Sequence, residues 1–125
     1  MKILLVEDNS DIRVLTKEFI NIIEPEAIID SCSSAVEAKK MCDNRCYDMV
    51  ITDLGLSDKY LGGEDVAKHA KEVCFSFNVL FSGAFAPTVR IGDMGHIDYV
   101  LAKPSKMEEI GIMFSIYKKR YVKAA

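Results

Sequence analysis

The chain has no tryptophan, three prolines and seven glycines in 125 residues. So little proline and glycine excludes a collagen-like or low-complexity linker chain. Long apolar runs are missing as well: the longest is about four residues, against the roughly 20 that a membrane-spanning helix needs. The opening segment meets Glu7 and Asp8 after four apolar residues, too soon for the core of a signal peptide. Positive charge is in short supply: 16 Lys and Arg stand against 19 Asp and Glu, a net charge of −3. That balance argues against a nucleic-acid surface. Cys32, Cys42, Cys46 and Cys74 form no CxxC pair, and His69 and His96 stand apart from them. A zinc site needs clustered ligands, so the four are expected to be free, mostly buried thiols. The expected location is cytoplasmic, and Met1 directly before the first apolar run reads as a natural N-terminus.

Half of the residues are hydrophobic and 28% are charged, enough apolar surface for a substantial core in a single domain over residues 1–125. Five apolar segments read as strands: Lys2–Val6, Ala27–Ser31, Met49–Thr52, Asn78–Phe81 and Tyr99–Ala102. Each is near-continuous rather than alternating, the pattern of a parallel sheet covered on both faces. They start about 20 to 30 residues apart, the room a crossover helix takes. Asn9 or Ser10 can cap a first helix, with Ile12, Leu15, Phe19 and Ile22 or Ile23 at helical spacing and Pro25 as its stop. Ser34, with Glu37 three residues on, can cap a second that runs to Cys42. A third is expected over Glu64–Val73 and a last from Lys106 onward. Between them Pro87 suits a helix start, but Gly92 and Gly95 predict a short or irregular turn of helix. The result is a doubly wound (βα)5 sheet with right-handed crossovers.

In such sheets ligands sit beyond the carboxyl ends of the strands. There the sequence places Glu7-Asp8, Asp53, Ser82-Gly83 and Lys103-Pro104. Each group alone is common in loops. Together they bring three carboxylates, a hydroxyl and an ammonium to one edge. Crowded carboxylates repel unless a cation joins them, and an oxygen-only set with room for water favours Mg²⁺ or Mn²⁺. A carboxylate such as Asp53 is a competent nucleophile toward phosphorus and needs no general base. Lys103 can pair with one phosphoryl oxygen and Ser82 can donate a hydrogen bond to another.

The blocks Leu4-Leu5-Val6-Glu7-Asp8-Asn9, Met49-Val50-Ile51-Thr52-Asp53-Leu54, Leu80-Phe81-Ser82-Gly83 and Tyr99-Val100-Leu101-Ala102-Lys103-Pro104 resemble a response-regulator receiver domain of the single-domain, chemotaxis-regulator kind. The resemblance implies a flavodoxin-like fold with strand order 2-1-3-4-5. It implies that Asp53 accepts a phosphoryl group from a histidine kinase or phosphotransfer protein. It also implies that Glu7, Asp8, Asp53 and the backbone carbonyl of Gly55 hold Mg²⁺, and that the Lys103–Pro104 peptide is cis. Output would pass to a protein partner through the surface around the fourth helix, strand 5 and the last helix, without nucleic acid or membrane.

The chain also departs from that pattern. Ser57 stands where the family usually has proline, and Gly62-Gly63 come later than the usual glycine. Val100 occupies the usual place of a switch aromatic, with Tyr99 one residue earlier. In a regular strand Tyr99 shares a face with Leu101 and Lys103, so it is not expected to act as the standard toggle; a bulge would change that. Three other readings stand beside the favoured one. They are a receiver-like scaffold that is never phosphorylated, a receiver excised from a hybrid kinase, and a small phosphatase using Asp58 as general acid. The last lacks a cap domain, and the chain is not expected to be an enzyme in the usual sense.

Overall fold

In the computed structural model, which describes residues 1–56, 58, 62–83, 95–103 and 105–121, all five apolar runs are strands of one parallel sheet. They are β1 (Lys2–Val6), β2 (Ile28–Cys32), β3 (Met49–Asp53), β4 (Phe77–Ser82) and β5 (Tyr99–Ala102), in the order β2-β1-β3-β4-β5. The order reverses between β1 and β3, which opens a crevice at their carboxyl ends. Between the strands run α1 (Ser10–Ile23), α2 (Ala35–Asn44) and α3 (Gly63–Cys74), and α4 (Met107–Tyr121) follows β5. The helix expected near Pro87 falls outside the described residues.

Strand periodicity sorts the core into two layers. Ile3, Leu5, Met49, Ile51, Phe77, Val79, Phe81 and Leu101 pack with Ile20 of α1 and with Ile110, Met113 and Phe114 of α4. Their neighbours Leu4, Val6 and Val50 turn the other way, against Ala35 and Ala38 of α2 and Val66 and Ala70 of α3. β3 and β4 are buried along their whole length, which is why their runs read as continuous.

Local signals set the ends. Asn9 Oδ1 accepts from the Asp11 and Ile12 amides, and Ser34 Oγ accepts from the Glu37 amide. α1 stops at Ile23, before Pro25. Several boundaries move: β3 runs on to Asp53, α3 spans Gly63–Cys74 rather than Glu64–Val73, and α4 begins at Met107 rather than Lys106. β2 begins one residue late, at Ile28, whose amide bonds to the Met1 carbonyl, and ends at Cys32 opposite Val6. β4 gains Phe77 and Ser82, and α2 continues to Asn44.

One expectation is overturned. Cys32 and Cys42 are buried free thiols, but Cys46 and Cys74 form a disulfide. They lie 28 residues apart in sequence. The fold brings the segment before β3 against the end of α3, with their Cα atoms 5.3 Å apart, inside the range a disulfide spans.

Candidate functional site

β1 ends in Val6 and delivers Glu7 fully buried at the mouth of the crevice. β3 delivers Asp53, also buried, and carboxylate oxygens of Glu7, Asp8 and Asp53 all lie within 4.8 Å of one another. Lys103, just past β5, pairs with Glu7 Oε1 and, at 3.1 Å, with Asp53 Oδ2. Glu7 Oε2 accepts from the Asn9 amide at 3.2 Å, and Asp53 Oδ1 from the Gly55 amide at 3.3 Å. Ser82, at the end of β4, is buried; its carbonyl accepts from the Lys103 amide at 2.6 Å.

Charge is unbalanced here, with three carboxylates around one ammonium. Burial pushes the Glu7 carboxyl above its usual range; Lys103 and the Asn9 amide oppose that shift, and Asp53 adds to it. Burial also works against the Lys103 ammonium, but Glu7 and Asp53 outweigh it and hold Lys103 above its ordinary pKa. Carboxylates this close repel one another, and a divalent cation among them would relieve that repulsion.

Several residues with no positioning role expected from the sequence hold these groups in place. Arg13 of α1 reaches back to donate from Nη1 to the Glu7 carbonyl at 2.7 Å, fixing the β1–α1 turn. Phe81 lies beneath Lys103, with the ammonium 5.0 Å from the ring centroid, within cation–π reach. The Leu54 amide bonds to the Phe81 carbonyl at 3.0 Å and continues the β3–β4 pairing past Asp53. Gly63 opens α3 directly against the Asp53 backbone. Its amide bonds to the Leu54 carbonyl at 3.1 Å, and a Cβ there would overlap the Asp53 carbonyl oxygen. A glycine-rich pair was legible in sequence, but only the structure separates Gly63 from Gly62.

Asp58 plays a different part from the general acid considered above. Its two oxygens accept from the Ala35 and Val36 amides at 2.7 and 3.3 Å, where they satisfy unpaired donors of the α2 N-terminus. β5 is regular: Tyr99 pairs with Val79 and Val100 with Leu80. Tyr99 packs on the α1–α4 layer beside Leu101, and Val100 packs toward Leu80 and Ala67. No bulge moves Tyr99 into the position of Val100. Pro104, and with it the expected cis peptide, lies outside the described residues, as does Ser57.

The profile of the response regulator receiver domain family matches residues 3–114. A comparison with curated proteins returns no match. Among solved structures, the chain is similar to a response regulator receiver domain protein from Clostridium thermocellum, with a TM-score of 0.84 and 23% identity, covering 99% of this chain and 98% of that one. A receiver domain from Methylobacillus flagellatus gives a TM-score of 0.81 and 23% identity over 94% and 98% of the two chains. The receiver domain of a sensor histidine kinase from Pseudomonas aeruginosa, with a magnesium ion coordinated in its active-site cleft, gives 0.72 and 18% identity over 94% of each.

Proposed function

The chain belongs to the response regulator receiver domain family, and on that premise we propose that residues 1–125 form one phosphoacceptor signalling domain of a two-component or phosphorelay system, with Asp53 as the acceptor. The observation that carries this reading is the gathering of Glu7, Asp8 and Asp53, with Lys103 paired to Glu7 and Asp53, at the point where the strand order reverses.

Glu7, Asp8 and Asp53, with the Gly55 carbonyl, would hold Mg²⁺ or Mn²⁺, which when bound neutralises the crowded carboxylates and the incoming phosphoryl oxygens. The fit rests on an all-oxygen donor set whose carboxylates lie within 4.8 Å of one another. An Asp53 carboxylate oxygen attacks phosphorus. The bond from phosphorus to the donor's imidazole nitrogen breaks, and its electron pair leaves with the imidazole. Lys103 pairs with one phosphoryl oxygen and the Ser82 hydroxyl donates to another. The donor is a histidine kinase or phosphotransfer protein, and the domain turns over no free substrate.

Phosphorylation then shifts a two-state equilibrium read by a protein partner in the cytoplasm. Tyr99, on the Leu101 face of β5, is not the standard toggle. The route expected in its place, through residues 83–95, falls largely outside the described residues. Among the described residues no helix is long and apolar enough to cross a membrane.

The test is incubation with Mg²⁺ and a small acyl phosphate. Wild type should gain one phosphoryl group, about 80 Da, and Asp53→Asn none. Equal labelling of both would remove Asp53 from its role.

A further inference from the structure

The Cys46–Cys74 bond lies outside the chemistry described so far, at the opposite end of β3 from Asp53. Its sulfurs differ from the other two. Cys32 and Cys42 are sealed in the α2 layer, where burial pushes each thiol up to about 11. Cys46 is exposed and Cys74 half-buried. Both line an open groove of about 340 Å³ that Cys42, Asp43, Asn44, Arg45 and Val73 also line. Arg45, half exposed, is paired with Asp30 at 3.1 Å, so access to the sulfurs rests on the open groove and the exposure of Cys46. Cys46 Sγ lies 3.8 Å from the Val73 carbonyl oxygen, an acceptor already in place for the S–H that reduction would create.

The bond also closes a particular loop. Residues 46 to 74 include β3, Asp53 and Gly55, and Gly63 where α3 meets the Asp53 backbone. A cross-link that closes such a loop restricts the unfolded chain and holds its two ends together. α2 and α3 also meet through Ala38, Cys42, Val66 and Ala70 and through the contact of His69 Nε2 with Asp43 Oδ1 at 2.6 Å, so the bond adds a covalent tie at the edge of an interface already packed.

We propose that Cys46–Cys74 is a thiol–disulfide exchange site, a second covalent input that acts on the segment carrying Asp53. A thiolate of a dithiol reductant attacks the exposed Cys46 sulfur. The Cys46–Cys74 bond breaks, and Cys74 leaves as a thiolate and is protonated. The reductant's second thiol then attacks the mixed disulfide, so that Cys46 is released and protonated. Two electrons and two protons pass to the protein, and the reductant becomes a disulfide. A small disulfide oxidant reverses both steps.

The experiment uses the full chain under native conditions in graded mixtures of reduced and oxidised dithiothreitol, quenched with excess N-ethylmaleimide and mapped by peptide mass. Cys46 and Cys74 should be labelled together as the dithiol fraction rises and protected again when it falls. Cys32 and Cys42 should remain unlabelled throughout. The melting temperature should drop by roughly 10 °C on reduction, and a Cys46→Ser, Cys74→Ser double variant should not respond to the reductant. Three results would overturn the proposal: labelling of Cys46 and Cys74 in air-oxidised protein, their protection until Cys32 and Cys42 also react, or a reductant-dependent melting shift in the double variant.

Discussion

At the carboxyl edge of the sheet the carboxylates of Glu7, Asp8 and Asp53 gather, and the Lys103 ammonium pairs with Glu7 and Asp53. At the amino edge the ratio is reversed, and Asp98 alone collects Lys71 at 2.6 Å, Arg120 at 3.3 Å and the Asn78 amide at 2.8 Å. Next to it the fully buried Asn78 is provided for as well. Its Nδ2 donates to the Ala67 and His96 carbonyls at 2.7 and 2.8 Å, and its Oδ1 accepts from Ser76 at 2.6 Å. Arg120 also lies over the Phe77 ring, which packs edge-on against Tyr117. The disulfide closes the same end. A buried polar group with all its partners holds a fold together, whereas a group of like charges works against it. The two edges therefore divide the labour: the amino edge supplies stability, and the carboxyl edge gathers like charges whose repulsion a bound cation would relieve.

The sharpest way to break that division is at the one point where a rigid element touches the acceptor. Gly63→Ala should force α3 away from the Asp53 carbonyl, since backbone on both sides has nowhere to move. A loss of about 4 kcal/mol is expected in denaturant unfolding, far above the cost of an exposed Gly→Ala change. Next comes the amino edge. Asn78→Ala leaves the Ala67 and His96 carbonyls and the Ser76 hydroxyl without that partner, at a cost of about 3 kcal/mol, read as a shift in the urea midpoint at constant slope. The smallest effect belongs to the carboxyl edge and has the opposite sign. Asp8→Ala removes one of three like charges and should stabilise the metal-free protein by up to about 1 kcal/mol. The same change should abolish the rise in melting temperature that millimolar Mg²⁺ gives wild type, which is worth about 2.7 kcal/mol at a hundredfold excess over Kd. If Asp8→Ala destabilises the metal-free protein as Asn78→Ala does, the contrast between the edges fails.

The carboxyl edge was far more legible in the sequence than the amino edge. Strand ends can be counted from apolar runs, and Glu7, Asp8, Asp53, Ser82 and Lys103 each directly follow or close one. Their convergence needs only the topology, not the packing. Asn78 and Asp98 sit inside or just before predicted strands, where a polar residue carries no periodic signal, and their partners Lys71 and Arg120 lie on two different helices. The Cys46–Cys74 pairing and the reach of Arg13 to the Glu7 carbonyl have the same origin: both depend on where α3 and α1 settle against the sheet. Burial misled in one place, because treating all four cysteines alike ignored that Cys46 falls in a turn and Cys74 at a helix end. The strand ends moved by a residue because hydrogen bonds such as that from the Glu7 amide to the Cys32 carbonyl, and from the Leu54 amide to the Phe81 carbonyl, carry pairing past the apolar run.

The central claim is that the acidic pocket serves to place a phosphoryl group on Asp53. An aspartyl phosphate is an acyl phosphate, which borohydride reduces to the alcohol. Wild-type protein treated with Mg²⁺ and acetyl phosphate, reduced with borohydride and digested should yield a peptide with homoserine in place of Asp53 and no other converted residue. Conversion at a different aspartate, or none under conditions where the intact protein has gained a phosphoryl group, would contradict the account.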